Sequence, residues 1–181
     1  NGDNEVGVCD FPYNRPRPYD NAIPAVIAGH LGIELYGMPL IHTGGNWMCD
    51  GYGKGASTTL VLDENPALSE DSVRSLTEAY LGIENYYIDE DPLGDYIEHI
   101  DCWDKFLDVD KVLIGQVPTW DSRYADFEQA ANNFAFRTTP YGNQYQVYRV
   151  FTPGTSPNTP YTNALILNKK VLVPITGSEY D

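Results

Sequence analysis

The sequence predicts an α/β fold built from a recurring strand, helix, strand unit, about three units and the first strand of a fourth. Three observations predict it. Short apolar runs recur at 6–11, 58–62, 111–115 and 170–174, roughly fifty to sixty residues apart, the scale on which repeat architectures are built. Segments with the 3.6-residue apolar spacing of a helix lie between them at 21–31, 69–81 and 122–136. After each of these, a further strand-like run ends in a small polar cluster.

In order, the first unit opens at Val6-Gly7-Val8-Cys9-Asp10-Phe11, and its polar cluster is His42-Thr43-Gly44-Gly45-Asn46. The second opens at Thr58-Thr59-Leu60-Val61-Leu62 and has the clearest helix start: Ser69 can cap, while Glu70 and Asp71 fall where carboxylates complement the helix dipole. Gly82 stops that helix, and the cluster His99-Ile100-Asp101 follows. The third opens at Lys111-Val112-Leu113-Ile114-Gly115 and ends in Tyr161-Thr162-Asn163, reached through the turn-rich run Thr152 to Pro160, which reads as a surface loop. Lys170-Val171-Leu172-Val173-Pro174 opens a fourth unit. Polar groups at matching places in successive units predict one shared central site, as when propeller blades present residues to a common axis. An opener strand without its helix leaves an unpaired edge and an uncovered face, so the carboxyl end is expected to be a cut. The start, Asn1-Gly2-Asp3, has no Met and no charged, apolar leader, so any export signal is expected outside the chain.

The 181 residues, 42% hydrophobic and 20% charged, suit one globular unit spanning 1–181. No apolar run approaches the ~18 residues of a membrane span. A net charge of −15 with only 11 Lys and Arg argues against nucleic acid, whose phosphates need cations. It also suits a cationic ligand, or solubility alone. Cys9, Cys49 and Cys102 match neither a zinc pattern nor a CxxC pair, and no metal or cofactor is expected.

Several segments could carry chemistry. Read as a strand, 96–103 puts His99, Asp101 and Trp103 on one face and Ile100 and Cys102 on the other. A carboxylate beside a histidine suits proton transfer near neutral pH, and Asp101 could accept two hydrogen bonds from a planar guanidinium. The alternative is a pair that merely satisfies itself. The alternation separates Cys102 from that pair and favours a structural thiol; Cys9 reads the same way, whereas Cys49 follows a glycine turn and stays open. The glycine-rich segment 43–55 reads equally as a site wall or as turn chemistry. Arg15 and Arg17, stiffened by Pro16 and Pro18, suit gripping a carboxylate, or form a solvated connection. The acidic groups Asp89-Glu90-Asp91 with Asp95, and Asp108 with Asp110, could hold calcium but lack EF-hand spacing, and solvated surface is the better reading.

Asp10-Phe11 with Tyr13-Asn14-Arg15-Pro16-Arg17-Pro18, Thr43-Gly44-Gly45-Asn46 with Met48 and Asp50-Gly51-Tyr52-Gly53, His99-Ile100-Asp101-Cys102-Trp103, and Pro160-Tyr161-Thr162-Asn163 with Leu165-Ile166-Leu167-Asn168 occur in one order along the chain. Together they resemble the Porphyromonas-type bacterial peptidylarginine deiminases, within the agmatine deiminase-like guanidine-modifying group. The resemblance implies an α/β propeller (pentein) of five ββαβ-type modules. It also implies hydrolysis of a guanidinium to a ureido group and ammonia by a cysteine thiolate, a histidine and two clamping carboxylates. Carried over by motif, His99 is the acid–base residue and Asp101 the second carboxylate. Asn163 lines the site, Tyr96 and Ile97 flank the substrate, and Arg15 and Arg17 hold the α-carboxylate of a carboxyl-terminal arginine.

In the family the first clamping aspartate lies well before Asp10-Phe11 and the nucleophilic cysteine lies beyond the last opener strand, so neither has a counterpart here. Cys102 belongs to the motif but is not the nucleophile. The expectation is therefore the central part of one deiminase catalytic domain, inactive alone and completed by the remaining segments of the same enzyme. Its substrate would be an arginine-containing peptide or protein, and its location secreted or cell-surface, the latter by resemblance only. Agmatine deimination and non-catalytic arginine binding are the competing readings.

Overall fold

The computed structural model describes residues 5–94, 96–152 and 159–181. The first four residues, Asp95 and the body of the turn-rich run at 153–158 lie outside that description. Strands β1 (Gly7–Asp10) and β2 (Glu34–Gly37) pair in parallel around helix α1 (Ile23–Leu31), entered through a 3-10 turn at Asp20–Ala22. Next come β3 (Met48–Cys49), β4 (Lys54–Thr58), a short helix α2 (Leu60–Asp63), α3 (Glu70–Leu81) and β5 (Asn85–Asp89). Here β3 is antiparallel to β4, and β4 parallel to β5. The pattern repeats with β6 (Asp104–Asp108), β7 (Lys111–Gln116), α4 (Tyr124–Phe136) and β8 (Gln146–Phe151), again an antiparallel pair and then a parallel strand across a helix. Last, β9 (Leu165–Leu167) and β10 (Lys170–Leu172) form an antiparallel hairpin.

The repeat is thus ββαβ, and the last unit opens with two strands rather than the one expected. The turn of its hairpin explains how: Asn168 sits at φ 55°, a left-handed conformation that Asn tolerates better than most side chains. A second correction concerns 58–62. The strand of the second unit is Lys54–Thr58, buried from Gly55 to Thr58, and Leu60–Asp63 is helical. A short apolar run is the same signal for a buried strand and a buried helical turn. The N–H groups of Leu62 and Glu64 donate to Thr59 and Leu60, and Val61 packs inside.

The three long helices fall where apolar spacing places them. In α3, Ser69 Oγ accepts from Ser72 N, and Gly82 closes the helix at φ 68° with its N–H on Glu78. In α4, Phe127, Ala130, Ala131 and Phe134 make one buried stripe at i, i+3, i+4 and i+7. That stripe joins a core of Trp103, Phe106, Val112 and Ile114, which also takes Met48 and Ala56 from the second unit. A smaller core joins Met38 and Leu40 to Val61, Val73, Ile83 and Tyr86. The first and second units, and the second and third, therefore share apolar packing, and their polar strand ends are left to meet one another. Among the described residues no helix is long and apolar enough to cross a membrane.

Candidate active site

The polar cluster of the first unit folds as a 3-10 turn at Gly44–Asn46, and its anchor is Asn46. This side chain is fully buried, and its Oδ1 accepts from Thr58 N (2.9 Å) and Ile100 N (3.3 Å), with Thr58 Oγ1 2.9 Å away. One carbonyl oxygen thus ties the end of β4 to the second unit's cluster. Thr43 Oγ1 lies 3.0 Å from His99 Nε2. A Cβ on Gly45 would run into His99 Nδ1 and come within 3.0 Å of Asp101 Oδ2, so the glycine is what lets the ring and the carboxylate share this spot. From the third unit, Thr162 Oγ1 donates to the Asp101 carbonyl at 2.9 Å. All three clusters therefore meet around His99 and Asp101.

The segment carrying that pair is not a strand, which corrects the alternation. Glu98 adopts φ 52°, and Ile100–Cys102 is a 3-10 turn. Thr58 Oγ1 donates to the Glu98 carbonyl at 2.6 Å, holding the unusual backbone in place. A three-residue period puts Ile100 and Trp103 together in the interior, both fully buried, instead of placing Trp103 beside His99. It also brings Cys102 Sγ to 3.5 Å from Asp101 Oδ1, so thiol and carboxylate are neighbours. Burial raises the Asp101 carboxyl, against the lowering influence of the Cys102 thiol, His99 and Lys105. A thiol that donates to a carboxylate is a poor nucleophile, because the adjacent negative charge opposes the thiolate. Cys9 Sγ donates to the Tyr80 carbonyl, and burial pushes its thiol up; Cys49 is exposed.

Behind the pair sits His42. Thr43 N–H donates to its Nδ1 at 3.0 Å, so the proton is on Nε2, 2.9 Å from Tyr86 Oη. Phe11 and Trp47 meet the ring edge-on. Burial pulls this imidazole down from 6.5 to about 4. A base depressed in the folded state contributes stability that is complete above its unfolded value and is lost as pH falls from about 6.5 towards 4. Urea unfolding at pH 7 and pH 4.5 is expected to show a His42-dependent loss on the order of 2–3 kcal/mol, absent in His42→Gln.

The other residues singled out from the sequence lie as follows. The Arg15 guanidinium is ion-paired with the buried Glu64 carboxylate and donates to Asn14 Oδ1 at 2.6 Å. Arg17 is exposed, 3.8 Å from Asp20. Tyr96 is 96% exposed, Ile97 half-buried and Asn163 exposed, directly after Thr162. A cleft lined by Phe11, Tyr13, Asp20, Asn21 and His42 runs beside the Arg15 and Arg17 segment. Among the described residues no cluster of His, Cys, Asp and Glu fits a metal ion. Asp108 and Asp110 pair with Lys111, and Asp89 with Arg137. The roles of His42, Thr43, Asn46, Thr58 and Thr162 escaped sequence reasoning; the only signal was their position beside glycines or at matching places in the units.

The fold is that of the guanidine-modifying deiminases. It superposes on the agmatine deiminase of Enterococcus faecalis with a TM-score of 0.84 at 21% identity, covering 97% of this chain and 59% of that one. For a Porphyromonas gingivalis protein assigned as an arginine deiminase the values are 0.76, 22%, 89% and 53%, and for the C. jejuni agmatine deiminase 0.74, 18%, 94% and 53%. The chain thus spans between half and three fifths of the length of these structures. The model of the Porphyromonas-type peptidyl-arginine deiminase family matches residues 8–181, and the chain belongs to that family.

Proposed function

We propose that residues 1–181 are the central part of a single catalytic domain that hydrolyses carboxyl-terminal peptidylarginine to citrulline and ammonia. The observation that carries the reading is the placement of the His99 ring and the Asp101 carboxylate against Gly45, where a planar cation could meet both. In this scheme Asp101 accepts two guanidinium N–H bonds, and the ligand's charge offsets the burial that raises its carboxyl. A thiolate from a cysteine outside these 181 residues adds to the guanidinium carbon. His99 gives its proton to the departing ammonia, then takes one from the water that replaces the sulfur. Asn163 lines the site, Tyr96 and Ile97 flank the substrate, and Arg15 and Arg17 hold its α-carboxylate.

Remaining segments of the same enzyme would complete a five-module propeller around this point. Two exposed apolar faces support that: Ile23, Val26, Ile27 and Leu31 on α1, and Leu165, Leu167 and Leu172 on one side of the β9–β10 hairpin. Patches of this kind are normally covered. In the same proposal the chain alone releases no ammonia, and the enzyme is secreted or lies at the cell surface.

A second reading, agmatine deimination, is favoured by one observation: Arg15 is committed to Glu64, which leaves the carboxylate grip unassembled. Turnover by the whole protein of peptides ending in arginine and of agmatine decides between them. Peptide conversion that drops about 100-fold in an Arg15→Ala/Arg17→Ala double variant supports the first reading, since a charged grip is worth several kcal/mol. Preferential conversion of agmatine, indifferent to that double variant, supports the second. Binding without product from either would leave an arginine-binding module.

A further inference from the structure

We propose that Glu64 is a specificity-determining positioning residue: it holds the Arg15 guanidinium by one nitrogen and leaves the other edge for the carboxylate of the substrate. The inference rests on the deiminase reading above and concerns its choice of substrate. Arg15 Nη1, which carries two hydrogens, donates to Glu64 Oε1 and to Asn14 Oδ1. Asn14 Nδ2 in turn donates to the same Glu64 oxygen at 2.8 Å, closing a ring of three side chains. Arg15 Nε and Nη2 make no hydrogen bond among the described residues, and the side chain is 30% exposed. These two nitrogens are the parallel donors of the guanidinium fork, the edge that matches a carboxylate.

Burial of the partner makes this a fixed mount. The Glu64 side chain is only 8% exposed, and its Oε2 makes no hydrogen bond among the described residues. Withdrawing Arg15 to grip a ligand would leave that charge buried and uncompensated, so the pair stays together and the ligand takes the remaining edge. Glu64 sits just past α2, and the next residue ties the same helix end to the site. Asn65 Oδ1 accepts the Ile41 N–H at 2.9 Å, and Asn65 Nδ2 donates to the Ile41 carbonyl at 2.8 Å. Ile41 leads directly into His42 and Thr43, and Thr43 Oγ1 lies 3.0 Å from His99 Nε2. Glu64 and Asn65 thus hold the Arg15 segment and the His99 cluster at one point. The segment is also fastened before Arg15, where Asn21 Oδ1 accepts the Tyr13 N–H at 2.9 Å. A guanidinium already held in place favours guanidino compounds that carry a carboxylate, because gripping them requires little further ordering of the Arg15 side chain.

The test uses the whole protein with a peptide ending in arginine and the same peptide ending in argininamide, which keeps the guanidinium and lacks the carboxylate. Glu64→Ala is expected to raise KM for the acid about 10- to 100-fold with kcat nearly unchanged, the scale of a lost charge-assisted contact. KM for the amide should move by less than about threefold, since that compound has nothing for Arg15 to grip. Asn14→Ala removes the second hold on Nη1 at an exposed position and should raise KM for the acid alone about 3- to 10-fold. That variant decides the matter if Glu64→Ala does not fold. Glu64→Gln keeps both accepted bonds and should stay within about threefold of wild type. A lower KM for the acid in Glu64→Ala or Glu64→Gln would mean that Glu64 quenches Arg15, and equal losses on acid and amide would mean a merely structural role. Either result overturns the proposal, as does a KM for the acid unchanged in both alanine variants. Titration calorimetry with the two peptides is independent of turnover, and wild-type protein that binds them equally sinks the proposal as well. Preference for the acid in wild type, lost in Glu64→Ala, with no ammonia from either peptide, would remove the deiminase reading and leave the Glu64 assignment standing.

Discussion

Gly45→Ala is expected to cost the whole enzyme about 100-fold or more in turnover while leaving it folded, a loss typical of an ångström-scale misplacement of catalytic groups. The added methyl group would occupy the space of His99 Nδ1 and press on Asp101 Oδ2 at 3.0 Å. Neither side can retreat cheaply. The turn bearing Gly45 is pinned through the buried Asn46 side chain to Thr58 and Ile100, and the His99 segment is pinned through the Glu98 and Asp101 carbonyls to Thr58 and Thr162. The ring therefore has to rotate off Thr43 or lift away from the carboxylate. Gly44→Ala is the matched control, since a Cβ there meets nothing within 4 Å and should leave turnover within about threefold. Steady-state kinetics with a thermal melt of each variant separates misplacement from unfolding. Equal loss in both variants would point to a backbone requirement instead.

The largest expected loss of stability belongs to Arg137→Ala. Its guanidinium forms a two-pronged pair with the buried Asp89 carboxylate, one prong at 2.8 Å, and stacks 4.1 Å from the Tyr87 ring and 4.3 Å from that of Phe134. Removing it strands Asp89 beside the fully buried Asp104 carboxyl. Breaking such a pair from one side costs about 3–5 kcal/mol. Arg137→Lys should recover little, because an ammonium lacks both the fork and the planar face. The same cluster sets a pH dependence. Burial, and then the negative charge of Asp89, raise the Asp104 carboxyl well above its ordinary value. An acid raised in the folded state contributes stability that is complete below its unfolded value of 3.8 and is lost as pH rises through the folded one. Asp104→Asn should therefore stabilise the protein at neutral pH and flatten that slope. Urea unfolding across pH 4 to 8 measures both effects, and an Arg137→Ala loss below about 1 kcal/mol would contradict this description.

Much of the architecture was legible because its signals are local. Ser69, the acidic first turn and Gly82 mark α3 within fourteen residues, and the stripe of α4 follows from spacing alone. Matching polar clusters could be seen to recur, and in the structure they are in contact. What could not be seen was which atoms touch. The run at 58–62 misled because an apolar tetrapeptide carries no period, and the register at 96–103 failed because one left-handed residue, Glu98, resets it. Arg15 looked free for a ligand because its partner Glu64 is 49 residues away. Asn46 lies in a glycine-rich segment that reads equally as site wall or turn chemistry, whereas its side chain ties three segments together. Long-range polar contacts of this kind leave no trace in the sequence near them.

In the proposed reaction His99 and Asp101 together form the centre of guanidinium hydrolysis. The decisive measurement is ureido product and ammonia formed by the whole protein from a peptide ending in arginine and from agmatine, in wild type, His99→Ala and Asp101→Asn. The account predicts equimolar ureido product and ammonia in wild type from at least one of them, and at least a 1,000-fold loss in each variant, about the upper range for removing an acid–base group. Turnover in His99→Ala within tenfold of wild type would contradict it.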